Sequence, residues 1–238
     1  MSNKIFLTAE WRKLVMANYI IDPSLLKKFV PARTEIDLWN DQCYISLVGF
    51  LFKDVRVKGI RVPCHVNFPE INLRFYVRYK EKDGWKHGVV FISEIVPKPA
   101  IAFIANKLYK EHYSSMPMSY SWKGAEENIH VSYHWKKRDK WNNLQVIAAA
   151  APDVLKEGSK EEFITEHFWG YSAFSKEKTA EYNVAHPRWD IYPVIDYTID
   201  CDFKTSYGEE FDFLTEKKPD SVFLAEGSVI NVFDKKFL

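Results

Sequence analysis

The chain has 238 residues, 47% of them hydrophobic and 16% aromatic, enough to bury a sizeable core. Its 33 basic and 32 acidic residues leave a net charge of +1, so no global field draws it to nucleic acid or to an anionic membrane. Three widely spaced cysteines, Cys43, Cys64 and Cys201, with no C-x-x-C pair, argue against a disulfide scaffold and for a reducing compartment.

Residues 1–12 carry no apolar stretch of signal-peptide length, and the longest apolar run, 146–151, is far too short to span a bilayer. A cytoplasmic protein is expected. Residues 14–21 read as a strand, although helical periodicity fits nearly as well. Asp22 as N-cap and Pro23 in the first turn open a short helix, with Leu25, Leu26 and Phe29 on its buried side and Pro31 ending it. Residues 42–57, rich in Val, Ile, Phe and Tyr, form a long β segment that Lys58-Gly59 breaks.

The next stretch organises the chain. After Pro69 the pattern alternates strictly. Ile71, Leu73, Phe75 and Val77 fall on one strand face; Asn72, Arg74, Tyr76 and Arg78 fall on the other, in line with Glu70. Asp83-Gly84 signals a turn. The return, residues 88–96, is apolar on both faces, with Val89, Phe91 and Ile95 on one and Val90, Ile92 and Val96 on the other. A strand apolar on both faces is covered on both faces. Its partner is then covered too, and the Glu70/Arg74/Arg78 stripe looks into an enclosed space.

Pro97 and Pro99 lead into a helix over residues 100–110, with Ile101, Ile104, Ala105 and Leu108 as its inner stripe. Residues 113–121 read as loop. Strands at 128–135 and 144–151 flank a charged hairpin turn at 136–140. Ser159 and Glu162 form a capping box. Strands follow at 166–174, 180–185 and 190–200, then a short helix at 207–214. A last strand covers 221–233, interrupted at Gly227. With no linker and no repeat, this order predicts a single α+β domain over 1–238, a closed or nearly closed antiparallel β-barrel with a few flanking helices.

A buried arginine needs a carboxylate partner, and Glu70, Glu94, Glu166 and Glu226 are the candidates. An Arg–Glu pair with spare donors can hold a carboxylate or another anion. In Glu166-His167-Phe168-Trp169-Gly170-Tyr171, the strand reading puts His167, Trp169 and Tyr171 on one face. That face is either core or an aromatic ligand wall with His167 as a proton-transfer group. His130 and His134 lie roughly 13 Å apart by strand rise, too far for one metal ion. The basic run between Trp135 and Trp141 is a solvated hairpin tip, and His186-Pro187-Arg188-Trp189 is a turn with an aromatic anchor. Cys43 and Cys64 read as packing thiols. No G-x-S-x-G, P-loop, G-x-G-x-x-G or H-E-x-x-H occurs.

The runs R-V-P-C-H-V-N-F-P-E-I-N-L-R-F-Y-V-R (61–78), E-H-F-W-G-Y (166–171), H-P-R-W (186–189) and S-V-F-L-A-E-G-S (221–228) resemble the YqjF-like family of uncharacterised bacterial proteins. The resemblance implies an acetoacetate decarboxylase-like fold, a cone-like β-barrel around a ligand cavity. Those decarboxylases use a cavity lysine as a Schiff base, placed after the helix that follows the central hairpin. The matching stretch here, Tyr113-Ser114-Ser115-Met116-Pro117-Met118, has no lysine, while Glu70 falls where the decarboxylases carry a cavity glutamate.

Three readings follow. The cavity binds a small, anionic organic ligand through Arg74, Arg78, Tyr76, Tyr113 and Glu166, with Glu70 beside it. Alternatively, Glu70 is the general acid/base of an enzyme acting on a keto-acid-like substrate, with Lys107 or Lys110 as a weaker Schiff-base variant. Or the chain is a structural or interaction protein whose cavity its own side chains fill. No metal ligands, cofactor, nucleic acid or membrane partner are expected, and self-association into a homo-oligomer stays open.

Overall fold

The computed structural model describes residues 4–124 and 127–238, without the side chains of residues 108 and 109, so Leu108 lies outside the description. The strands are β1 (Ile5–Ile20), β2 (Thr34–Ile36), β3 (Tyr44–Val57), β4 (Ile60–Arg61), β5 (Phe68–Glu81), β6 (Gly84–Val96), β7 (Tyr113–Ser115) and β8 (Met118–Gly124). They continue as β9 (Asn128–Lys137), β10 (Lys140–Ala149), β11 (Trp169–Ala173), β12 (Thr179–Ala185), β13 (Ile191–Asp200), β14 (Ser221–Phe233) and β15 (Lys236–Phe237). The helices are α1 (Pro99–Tyr109), α2 (Lys160–Thr165) and α3 (Phe203–Tyr207), with 3-10 helices at Pro23–Phe29 and Glu209–Leu214.

Strand pairing runs β12-β11-β6-β5-β3-β1-β14, and β12 pairs β14 in turn, so the path returns on itself. From β14 it also continues through β13, β10 and β9 to β8 as a second leaf. The expected antiparallel order is broken twice: β6 pairs β11 and β7 in parallel. Ile71, Leu73, Phe75 and Val77 of β5 are completely buried against Val131, Tyr133, Trp135 and Leu144 of the second leaf. Each such side chain contributes about 1.5–3 kcal/mol by leaving water. On the inner side of the hairpin, Tyr76 of β5 and Val89 and Val96 of β6 join a second cluster with Leu14 and Met16 of β1 and Val48 and Phe50 of β3. The central hairpin is therefore covered on both faces, as its two-sided apolar return strand requires.

Several local expectations shift. The first helix is 3-10, and its period of three puts Leu26 and Phe29 together while Leu25 turns out to 36% exposure. Residues 113–121, expected as loop, contain β7 and β8. β8 is an exposed edge strand whose alternation is weak because only β9 orders it. The strand expected from residue 166 starts at Trp169, since Glu166 still caps α2. The helix expected at 207–214 is two elements: Asp202 caps α3, and Gly208 separates it from the 3-10 turn. Cys64, expected to pack, is exposed at a left-handed φ of 63°.

β14 is not interrupted at Gly227. The residue takes φ +79° inside a continuous strand, where a Cβ would lie 2.1 Å from the Trp11 carbonyl oxygen. Only glycine allows β14 to approach β1 so closely at the wall of the ring.

Candidate functional site

A cavity of about 350 Å3 lies within the strand ring, a volume suited to a small organic molecule. Its wall is largely aromatic and aliphatic, with Phe50, Phe52, Phe68, Phe91 and Trp189 among the lining residues. Ala100, Ile101, Ile104 and Ala105 of α1 line one side. The expected inner stripe of that helix thus faces the cavity rather than packed core, which is why Ile104 stays 52% exposed.

The polar groups come mainly from β5 and β6. Glu70, Asn72 and Arg74 project inward at alternate positions. On β6 the alternation breaks. Leu73 pairs with Ser93 and Arg74 with Phe91, leaving Ile92 as an extra residue. This bulge sends Ile95 to the outer core, away from the Val89/Phe91 face where plain alternation put it, and turns Glu94 into the cavity. Glu111, just past α1, is the third inward carboxyl.

The three carboxyls are buried and share two tyrosines. Tyr113 Oη donates to Glu70 Oε2 at 3.1 Å, and Asn72 Nδ2 donates to Glu70 Oε1 at 3.1 Å. Tyr182 Oη donates to Glu111 Oε1 at 3.0 Å. Tyr113 also pairs with Glu94 in register and its hydroxyl interacts with that carboxyl too, while Glu94 Oε2 has no partner. Burial raises Glu70 to about 7 against the pull of Asn72, Tyr113 and Arg74. Burial, the Tyr182 bond that opposes it and the nearby Glu70 charge leave Glu111 at about 8. Burial and the charges of Glu111 and Glu70 drive Glu94 well above the carboxylate range. Near neutral pH the cluster therefore holds protons that isolated carboxylates would release.

Arg74 is the one cationic side chain of the described lining, apart from the titratable histidines. Its Nη2 donates to the Ile164 carbonyl at 3.2 Å and touches Met16 Sδ at 4.0 Å, while its Nε has no partner. No carboxylate among the described residues comes within ion-pair distance of it, so the expected Arg–Glu pair is not formed. Buried polar atoms without partners recur on this wall: Trp11 Nε1, Asn72 Oδ1, Arg74 Nε, Glu94 Oε2 and His167 Nδ1. Among the described residues, the lining carries no lysine, serine or cysteine.

Three of the six expected site residues, Glu70, Arg74 and Tyr113, line the cavity. The other three do not. Arg78 lies further along β5, past the enclosed part, and pairs with Glu35 of β2 at 2.7 Å on the surface. Tyr76 is fully buried, its hydroxyl 2.7 Å from Ser46 Oγ, and it packs on Phe163 and His167. Glu166 is half-buried at the end of α2; burial raises its pKa and the nearby Arg188 opposes that rise. Lys107 sits over the Phe103 ring and Lys110 near Phe174, and neither reaches the cavity.

His167 precedes β11 and lines the cavity with Trp169. Its Nε2 lies 3.1 Å from Asp37 Oδ2, and the same oxygen lies 2.5 Å from His87 Nδ1. His186 stacks on Trp189 at 4.1 Å, so the aromatic anchor also forms cavity wall. Glu111 and Tyr182 carry no motif that marks them in the sequence. Glu94 is visible there only as a lone charge in an apolar strand.

DUF2071, a family described as an uncharacterized conserved protein (COG2071), matches residues 8–229. The chain belongs to this family. Uncharacterized protein YqjF of Bacillus subtilis (strain 168) is 26% identical over 184 residues, 75% of this chain and 72% of that protein. Among solved structures, the enduracididine biosynthesis enzyme MppR complexed with pyruvate superposes with a TM-score of 0.69 at 10% identity, over 100% of this chain and 91% of that one. An acetoacetate decarboxylase-like enzyme from Sphingomonas wittichii RW1 gives 0.69 at 13% identity, over 99% and 94%. Acetoacetate decarboxylase from Legionella pneumophila gives 0.67 at 11% identity, over 98% and 87%. The DUF2071 chain thus shares the acetoacetate decarboxylase-like fold. No helix among its described residues is long and apolar enough to cross a membrane.

Proposed function

We propose that this DUF2071 protein binds a small organic carboxylate in its cavity, with the whole chain acting as one barrel-like unit around it. Arg74 is the anchor. The observation that carries the reading is a guanidinium buried to 8% exposure on a cavity wall with no carboxylate partner. An unpaired buried charge is costly, and an anion entering the cavity relieves that cost. Protonated Glu94 and Glu111 do not offset the Arg74 charge, which Glu70 offsets only in part, and both can donate hydrogen bonds to the same ligand. The apolar wall suits a short hydrocarbon or ring. A pyruvate complex is on record for MppR, whose fold this chain shares.

A second reading adds chemistry. Glu70, raised to about 7 and oriented by Tyr113 and Asn72, can take or give a proton on a carbonyl-bearing substrate held by Arg74. A lysine Schiff base plays no part in it, because the described lining has no lysine.

Calorimetric titration with pyruvate, acetoacetate and short-chain fatty acids tests both readings. At least one anion is expected to saturate at one site per chain. Arg74→Gln is expected to weaken it about 10–100-fold, the worth of a charge-assisted hydrogen bond. Equal binding by Arg74→Gln would remove Arg74 as anchor. Solvent deuterium incorporation into bound pyruvate that is lost in Glu70→Gln would establish the second reading; none in wild type would dismiss it.

A further inference from the structure

Asp37, His87 and His167 come from three distant parts of the chain and meet beside the cavity. His87 Nδ1, His167 Nε2 and an Asp37 oxygen all lie within 4.8 Å of one another. The Asp37–His87 and Asp37–His167 separations are 2.5 and 3.1 Å. A tetrahedral ion with bonds of about 2.0–2.1 Å sets its ligand atoms about 3.3 Å apart, so modest side-chain rotation opens this set around an ion.

The surroundings suit that role. Asp37 is buried, its N–H donating to the Tyr76 carbonyl at 2.9 Å. Its Oδ1 lies 4.0 Å from Arg78 Nη1, which leaves Oδ2 as the free ligand oxygen and gives the carboxylate an outer partner. The His87 side chain is 45% exposed against 3% for Asp37 and His167, so an ion can enter from solvent on the His87 side. Two imidazoles and one carboxylate match zinc and similar borderline ions. Calcium and magnesium prefer all-oxygen sets.

We propose that Asp37, His87 and His167 bind a divalent first-row transition ion, zinc being the best match, with at least one coordination position left open. Only His167 also lines the cavity, and the proposal holds or fails independently of Arg74.

The test uses full-length protein without a histidine tag, stripped with chelator and dialysed. Co2+ is titrated while visible ligand-field absorption is recorded, and Zn2+ is then added. One Co2+ per chain, displaced by Zn2+, is expected. His87→Ala alters an exposed position, and thermal melting checks that it folds. It is expected to weaken Co2+ binding at least about tenfold. No saturable binding by the wild type, or equal binding by a folded His87→Ala, would overturn the proposal and leave two imidazoles hydrogen-bonded to Asp37.

Discussion

Asn72 and Glu94 stand opposite one another across the central hairpin, and both project into the cavity because Ile92 is bulged out of register between them and Phe91. Deleting Ile92 removes the extra residue and leaves Glu94 two positions from Phe91, so Glu94 keeps its place opposite Asn72 in the cavity. What the variant loses is the buried Ile92 side chain of the outer core, a cost of about 2–5 kcal/mol. The expected outcome in thermal melting is a lower but still cooperative transition. Loss of a cooperative transition would show that the bulge itself is needed to hold the hairpin.

The buried carboxyls link stability to pH. Glu70 titrates near 7 in the fold against an ordinary value of 4.5, and Glu111 near 8. A raised acid holds its proton in the folded chain while the unfolded chain has released it, so stability falls as pH rises. The contribution is fully present below about 4.5 and is lost by about 7 for Glu70 and about 8 for Glu111. Urea denaturation of wild type and Glu70→Gln at pH 4.5 and pH 8 measures this. The variant should gain on the order of 1–3 kcal/mol over wild type at pH 8 relative to pH 4.5. A pH-independent difference would contradict it.

Gly170 positions Tyr182. A Cβ at residue 170 would lie 2.1 Å from Tyr182 Cζ and 2.4 Å from its hydroxyl oxygen. Gly170→Ala must push the ring away, which removes the donor on Glu111. Overpacking of this kind costs about 1–3 kcal/mol. Gly170→Ala with Tyr182→Phe should then cost little more than Gly170→Ala alone, a non-additivity that thermal melting of the single and double variants would reveal.

Much of the site was legible because strand periodicity is local. The alternation after Pro69 marks Glu70, Asn72 and Arg74 as one stripe, and the two-sided apolar return strand marks that stripe as enclosed. The same alternation over-extended the site to Tyr76 and Arg78, because it cannot show where covering ends. Ser46 takes the Tyr76 hydroxyl, and Glu35 draws Arg78 to the surface. It also placed Ile95 where Glu94 belongs, since a single bulged residue inverts every position beyond it.

By itself the sequence determined a mostly β chain, a doubly covered hairpin, an inward Glu70 and Arg74, and the absence of a lysine from residues 113–118. These depend on neighbours one or two residues apart. Only the tertiary structure decided that Glu70, Glu94 and Glu111 share one buried cluster, that Arg74 is left without a carboxylate, and that Asp37, His87 and His167 meet. Those groups are separated by up to 130 positions along the chain. Their proximity, and the low-dielectric burial that shifts their protons, exist only once the ring of strands has closed the distance.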